Sequence, residues 1–126
     1  MRILLVDDDA PSVEALRDIL ESEGHAVTTA DNGLDAMKVL RGPGDYCVIL
    51  LDIMMPVMNG YEFRVEQLKD PRLRSIPVII LTADAQGRER SAEFSAKHIF
   101  QKPLSPLDLL RAISEYCQPS PGPLAP

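Results

Sequence analysis

Short apolar runs alternate with helix-period patterns along almost the whole chain, and this alternation constrains the fold more than any other feature. Such alternation is typical of repeated strand–helix units that form a parallel sheet covered on both faces. The pattern predicts five strands, at residues 2–7, 26–30, 46–52, 77–81 and 99–101. The expected fold class is therefore α/β, with helices between the strands.

Capping residues and apolar stripes predict where these helices begin and which faces they bury. Asp9 or Ser12 begins the first helix, Asn32 caps the second, Asn59 precedes the third and Ser105 caps the last. A helix pattern with few apolar anchors also covers residues 86–97. The side chains expected to face the sheet include Leu16, Leu20, Leu34, Met37, Leu40, Leu107, Leu110, Ile113 and Cys117.

Chain length and composition indicate one folded domain. The chain has 126 residues, of which 45% are hydrophobic and 25% are charged, values that are ordinary for a single globular domain. The final stretch "QPSPGPLAP" is rich in proline, which does not continue a helix. We therefore expect a domain over residues 1–117 and a proline-rich tail or linker over residues 118–126.

Charge and cysteine content exclude several classes of function. The net charge of −6 argues against direct nucleic-acid binding by this domain. No apolar stretch has the length of a membrane span and "MRILLVDDD" lacks the order of a signal peptide, so a cytoplasmic location without a membrane partner is expected. Cys47 and Cys117 lie far apart in sequence, and we expect reduced, buried or half-buried thiols rather than a disulfide or a metal site.

Residues whose side chains could bind a metal ion or take part in a reaction follow four of the predicted strands. Asp7 and Asp8 follow the first strand, Asp52 ends the third, Thr82 follows the fourth and Lys102 follows the fifth. Because the carboxyl ends of parallel strands meet at one edge of a sheet, these side chains are expected to converge there. Carboxylates this close repel one another unless a cation lies among them. Their oxygens suit Mg²⁺, with positions left for water and a phosphate oxygen.

In this setting Asp52 is a candidate nucleophile toward a phosphoryl group. Mg²⁺, the Thr82 hydroxyl and the Lys102 ammonium would each neutralise one of the three equatorial oxygens. Each residue also has a structural explanation, since acids cap helices, Asp and Thr fill turns, and a lysine before proline is usually solvated. The combination, with each group at the end of a different strand, favours the chemical interpretation.

Four motifs, "ILLVDDD", "VILLDIMMPVMNGYEF", "IPVIILTA" and "KPL", resemble in order and spacing those of the receiver domain of two-component response regulators. The resemblance implies a (βα)5 flavodoxin-like fold whose five-stranded parallel sheet has the order 2-1-3-4-5, with helices on both faces. It implies a signalling phosphoacceptor rather than an enzyme, limited to self-catalysed phosphoryl transfer and slow autodephosphorylation. The implied partners are a sensor histidine kinase or histidine phosphotransfer protein, and a downstream effector.

The resemblance also implies a role for each site residue. Asp52 would accept the phosphoryl group from a phosphohistidine. Asp8, Asp52 and the backbone carbonyl of Met54 would bind Mg²⁺ directly, whereas Asp7 would act mainly through water. Thr82 and Lys102 would contact the phosphoryl group, and the peptide bond between Lys102 and Pro103 is expected to be cis.

Two departures from the family pattern concern the surface that reports phosphorylation. Ile99 stands where the family usually has an aromatic residue, and the segment from Thr82 to Lys102 is about two residues shorter than usual. We therefore expect the phosphorylation chemistry to be retained. The output face, formed by the helix within residues 86–97, the last strand and the last helix, is where a difference is expected.

Two other classes of function remain open from the residues. One is a pseudo-receiver, an interaction module that keeps the fold without accepting phosphate. The other is a haloacid-dehalogenase-like phosphatase, in which Asp7 would be the nucleophile and Asp9 the second acid. That second class requires a further acid pair after a late strand, and no such pair follows Lys102.

Overall fold

The computed structural model describes residues 1–55, 57–83, 96–102 and 104–118. Its five strands form one parallel sheet in the order β2-β1-β3-β4-β5. The strands are β1 (Arg2–Val6), β2 (Val27–Ala30), β3 (Tyr46–Asp52), β4 (Val78–Thr82) and β5 (His98–Gln101). Each begins and ends close to its predicted boundary, and the predicted fold class and strand order are confirmed.

Four helices are described, and each begins with a side-chain cap. They are α1 (Ala10–Ser22), α2 (Gly33–Arg41), α3 (Gly60–Lys69) and α4 (Pro106–Ser114). Asp9 caps α1, Asn32 caps α2 and Ser105 caps α4, each by accepting a hydrogen bond from a backbone N–H of the first turn, which confirms these predictions. The predicted helix at residues 86–97 and the predicted tail lie largely outside the described residues.

Successive side chains along each strand point to opposite faces of the sheet, so the core has two parts, one on each face. Leu4, Val6, Ile49, Leu51 and Ile80 are among the side chains that pack with α2 and α3 on one face. The intervening residues, among them Ile3, Leu5, Val48, Leu50, Ile79 and Leu81, pack with α1 and α4 on the other face. The central strand β3 is buried along its whole length, which fixes the position of Asp52 at its end. No helix in the described ranges is long and apolar enough to cross a bilayer.

Two of the predicted inward-facing leucines point to solvent instead. Leu34 is 40% exposed and Leu107 is 56% exposed, whereas Leu109, 1% exposed, is the leucine that α4 buries against the sheet. The stretch "PLDLLRAIS" carries three leucines within its first turn and a half, so its apolar stripe fits more than one helix face. Packing against β4 and β5 selects the face that contains Leu109, Ala112 and Ile113.

This correction predicts a contrast between two substitutions of the same type. Leu109→Ala removes a fully buried side chain and is expected to lower the free energy of unfolding by about 2–4 kcal/mol. Leu107→Ala removes an exposed side chain and is expected to change it by less than about 1 kcal/mol. Urea unfolding of both variants measures the difference, and equal losses would contradict the helix face described here.

The prediction of two reduced cysteines is also wrong in this structure. Cys47 lies near the start of β3 and Cys117 follows α4, and they form a disulfide with a Cα–Cα distance of 5.4 Å across 70 residues of chain. Both are buried, at 6% and 2% exposure. The amino end of β3 and the carboxyl end of α4 meet at the same edge of the sheet, which is why residues so distant in sequence come together.

Candidate functional site

Three acidic side chains gather at the carboxyl edge of the sheet, as predicted. Asp7 follows β1 and Asp52 is the last residue of β3, while Asp8 extends from the loop that leads to α1. One carboxylate oxygen from each lies within 4.8 Å of those of the other two. Asp7 and Asp52 are buried, at 1% and 7% exposure, whereas Asp8 is exposed. The cluster is therefore anchored in the core and open on one side.

Lys102 brings a positive charge into this cluster. Its Nζ donates a hydrogen bond to Asp7 Oδ2 at 2.8 Å and lies 3.7 Å from Asp52 Oδ2. Its backbone N–H donates to the carbonyl oxygen of Thr82 at 2.7 Å, so the ends of β4 and β5 are held together. Thr82 is buried at the end of β4. The structure thus brings all five predicted side chains to one edge, and Lys102 supplies the cation that the neighbouring carboxylates require.

Backbone amides fix the orientation of the two buried carboxylates. The N–H of Asp9 donates to Asp7 Oδ1 at 2.9 Å, and the N–H of Met54 donates to Asp52 Oδ1 at 3.1 Å. The Met54 side chain points outward and is 65% exposed. These bonds leave further carboxylate lone pairs available to a cation or a phosphoryl group.

The pKa values of Asp52 and Lys102 are both raised in this cluster, for different physical reasons. Burial raises the pKa of Asp52 to about 6, and the charge of Asp7 acts in the same direction, against the opposing effects of Lys102 and the Met54 amide. Burial alone would lower the pKa of Lys102, but its hydrogen bond to Asp7 and the neighbouring carboxylate charges outweigh burial and raise it. Without a metal ion, the ionised form of Asp52 therefore lowers the stability of the folded protein, while Lys102 stays protonated.

We expect Asp52→Asn to stabilise the metal-free protein. Because the pKa of Asp52 is higher in the folded state, the folded state binds more protons, and stability falls as the pH rises from about 4 to 6. A shift of this size corresponds to about 3 kcal/mol, and screening by water reduces it to about 1–2 kcal/mol at pH 7. Thermal unfolding in EDTA at pH 4 and pH 7 measures this gain, which should vanish at the lower pH. Asp45→Asn, at an exposed site on the opposite edge, is the control.

The loop between β3 and α3 is held beside the acidic cluster through contacts that were not predicted from the sequence. The Gly60 N–H donates to the Ile53 carbonyl at 2.9 Å. Asn59 and Glu62 form a reciprocal capping box at the start of α3, which the spacing of "NGYE" would have indicated. Val57 adopts a positive φ of 67°, a conformation that is unfavourable for a β-branched residue. Pro56 and Pro103 lie outside the described residues, so the expected cis bond before Pro103 stays a prediction.

A family model for the response regulator receiver domain matches residues 3–114. The chain belongs to this family. Receiver domains are signalling domains, and this one has the sheet order and the acidic edge that its four motifs imply. The resemblance seen in the sequence is therefore confirmed, and so is the assignment to two-component signalling.

Curated relatives include both short and long proteins. The receiver domain is 37% identical over 121 residues to an uncharacterised 14.6 kDa protein of Leptolyngbya boryana, covering 93% of this chain and 90% of that protein. It is 38% identical to a homolog of the transcriptional regulatory protein CpxR from Haemophilus influenzae, covering 97% of this chain and 52% of that protein. The response regulator SaeR of Staphylococcus aureus is 36% identical, with coverages of 89% and 48%. This chain spans about half the length of these two regulators.

Solved structures agree with the fold. The receiver domain of a signal transduction histidine kinase from Syntrophus aciditrophicus has a TM-score of 0.83 and 32% identity, covering 91% of this chain and 88% of that one. The receiver domain of a sensor histidine kinase from Pseudomonas aeruginosa, with magnesium in its active-site cleft, has a TM-score of 0.83 and 28% identity, with coverages of 91% and 95%. The response regulator TrrA of Thermotoga maritima, in complex with Mg²⁺ and BeF, has a TM-score of 0.81 and 31% identity, with coverages of 92% and 98%.

Proposed function

We propose that this receiver domain accepts a phosphoryl group on Asp52 in a Mg²⁺-dependent reaction. The observation that carries the proposal is the placement of Asp52 at the end of the buried central strand, with Asp7, Asp8 and Lys102 around it. The donor is a phosphohistidine on a sensor histidine kinase or a histidine phosphotransfer protein. Phosphorylation then alters the surface that a downstream effector protein or domain recognises.

The residues at this edge fit a magnesium ion. Three carboxylates within 4.8 Å of one another, two of them buried, present hard oxygen ligands. Among the residues that the structure describes, Lys102 is the one cation in contact with Asp7 and Asp52. Asp8, Asp52 and the Met54 carbonyl would hold the ion directly, and Asp7 would hold it through water. When bound, Mg²⁺ offsets negative charge on the phosphoryl oxygens. The neighbours crystallised with magnesium support this assignment.

The transfer step uses a carboxylate oxygen of Asp52 as the nucleophile. A bond forms between this oxygen and phosphorus, while the bond between phosphorus and the histidine nitrogen breaks and leaves its electron pair on nitrogen. The Met54 N–H orients the attacking carboxylate. The Lys102 ammonium exchanges part of its contact with Asp7 for a phosphoryl oxygen, and the Thr82 hydroxyl binds another.

We also propose a domain organisation and an output for this protein. The proposed domain spans residues 1–117, and the proline content of the sequence supports a tail or linker over residues 118–126. The domain works in the cytoplasm, binds neither nucleic acid nor membrane itself, and turns over phosphate only by slow autodephosphorylation. The face that carries Ile99 and α4 changes on phosphorylation, with Ile99 in place of the usual aromatic reporter.

Intact mass spectrometry tests the proposal. The full chain is incubated with acetyl phosphate, once with Mg²⁺ and once with EDTA. We expect a gain of one phosphoryl group that requires both Mg²⁺ and Asp52, so Asp52→Asn should show none, whereas Asp45→Asn should behave as wild type. A wild-type protein that gains no phosphate from acetyl phosphate or from a phosphorylated histidine phosphotransfer protein, and that shows no Mg²⁺ binding, would identify a pseudo-receiver.

A further inference from the structure

The disulfide between Cys47 and Cys117 joins the strand that carries Asp52 to the turn after the last helix, at the edge of the sheet opposite the candidate site. Cys47 lies near the start of β3, the strand that ends in Asp52, and Cys117 follows α4, the helix that comes after Lys102. Cys47 and Asp52 are five positions apart along the strand, a distance of about 16 Å. The bond is therefore remote from the acidic cluster and close to the point at which residue 118 leaves the fold.

The fold accommodates both oxidation states of this pair. The oxidised pair fits the backbone, since the Cα–Cα distance of 5.4 Å lies within the usual range for a disulfide. In the reduced state a partner is also in place, because Cys47 Sγ lies 3.4 Å from the carbonyl oxygen of Arg2. Both cysteines pack among the apolar residues of the α1 and α4 face, where a buried thiol behaves as a small apolar group. Reduction therefore leaves no buried charge and no large void.

A route for thiol exchange is also visible. Cys47 lines an open cleft of about 630 Å³ at the amino edge of the sheet, together with Tyr46, Pro77, Glu115 and Tyr116. Glu115 and Tyr116 belong to the turn between α4 and Cys117, and Tyr116 and Cys117 each donate a backbone hydrogen bond to the Ile113 carbonyl at 2.9 Å. Opening of this single turn would expose the disulfide to small molecules that enter the cleft.

We propose that Cys47 and Cys117 form a reversible redox modification site that locks the carboxyl end of α4 to β3 when oxidised and releases it when reduced. The oxidant is a low-molecular-weight disulfide. One cysteine thiolate attacks it, forming a mixed disulfide and expelling one thiol, and the second cysteine then displaces the other thiol. In total two cysteine thiols lose two electrons and two protons, and one small disulfide becomes two thiols.

Formation of the disulfide affects the carboxyl end of α4 and not the acidic cluster. In the oxidised state the turn of residues 115–117 is tied covalently to the central strand. In the reduced state it is held by backbone hydrogen bonds from Glu115, Tyr116 and Cys117 and by the packing of α4, so it opens more often. The redox state thereby sets how firmly the turn of residues 115–117 is anchored to β3, independently of phosphorylation at Asp52.

Thiol trapping of the native full chain tests the proposal. The protein is equilibrated in mixtures of reduced and oxidised glutathione, its free thiols are alkylated, and its intact mass is measured by mass spectrometry. We expect no alkylated cysteine at the oxidised end, two at the reduced end and one midpoint between them, all without denaturant. Two reactive thiols in every mixture, or a bond that opens only in denaturant, would overturn the proposal.

Hydrogen exchange on the same samples measures the release of the helix end. Reduction should speed exchange of the Tyr116 and Cys117 amides by roughly tenfold or more, with Leu50 in β3 unchanged, and should lower the melting temperature by roughly 10 °C. The Cys47→Ala/Cys117→Ala double variant should exchange like the reduced protein and ignore glutathione. If that variant does not fold, the wild-type comparison decides alone, and equal exchange in both redox states would overturn the proposal.

Discussion

Lys102→Met is expected to lower the free energy of unfolding by about 2 kcal/mol in EDTA, and Mg²⁺ is expected to restore most of the loss. The variant keeps most of the side-chain volume and removes the ammonium that lies 2.8 Å from Asp7 Oδ2 and 3.7 Å from Asp52 Oδ2. Asp7, at 1% exposure, would then be a buried carboxylate without a positive partner. Loss of one partner of a fully buried pair costs about 3–5 kcal/mol, and the 22% exposure of the Lys102 side chain reduces that cost.

The rescue by Mg²⁺ separates this electrostatic effect from a simple packing defect. A cation bound by the three carboxylates replaces the missing charge, whereas it does not repair a cavity. Urea unfolding with and without Mg²⁺ measures both quantities. Lys97→Met, at an exposed position just before β5, is the control and should change stability by less than about 0.5 kcal/mol in either condition. An unchanged stability of Lys102→Met in EDTA would show that the ion pair contributes nothing to the fold.

Gly60→Ala is expected to lower the free energy of unfolding by about 2–3 kcal/mol and to weaken Mg²⁺ binding at the same time. A Cβ at Gly60 would lie 2.7 Å from the Asp52 carbonyl oxygen and 2.7 Å from Ile53 Cα. These are backbone atoms of the end of β3, so they move only if the strand end or α3 moves. The hydrogen bond from the Gly60 N–H to the Ile53 carbonyl is strained by either movement.

Gly42→Ala is the matched control for this substitution. A Cβ at Gly42 would meet the Val39 carbonyl oxygen at 3.4 Å, and its φ of −79° is open to any residue. Its stability should stay within about 0.5 kcal/mol of wild type. Calorimetric titration with Mg²⁺ and urea unfolding compare the two variants. A Gly60→Ala protein with wild-type stability and wild-type Mg²⁺ affinity would mean that Asp52 does not depend on close approach of α3.

The strands and the acidic edge were predictable because they depend on local patterns. An apolar run such as "CVILLD" is typical of a central strand in a sheet that is covered by helices on both faces. The carboxyl ends of parallel strands lie at the same edge of such a sheet. Helix faces were less predictable. On α4 the leucines are so closely spaced that two different helix faces could be apolar. Packing against the sheet buries Leu109 and leaves Leu107 exposed. On α3 the buried residues include Gln67, whose side-chain N–H groups donate to the Leu73 and Ile76 carbonyls.

The disulfide and the site contacts illustrate a second limit. Cys47 and Cys117 are 70 residues apart, and no spacing rule links cysteines across such a distance. Their meeting depends on β3 beginning, and α4 ending, at the same edge of the sheet. The pairing of Lys102 with Asp7 depends likewise on the sheet order, in which β3 and β4 lie between β1 and β5. Sequence reasoning placed both residues at the correct edge, and tertiary geometry decided which oxygen the ammonium contacts.

The hydrogen bond between Lys102 and Asp7 closes a segment that includes nearly the whole domain. These residues are 95 positions apart, near the first and last strands of the chain order, and β1 and β5 are not neighbours in the sheet. Contacts over such separations form only after the intervening segments have been ordered, because loop-closure entropy opposes them. We therefore expect completion of the acidic edge to be a late folding event, and the Mg²⁺ binding proposed above would then report whether newly made protein has finished folding.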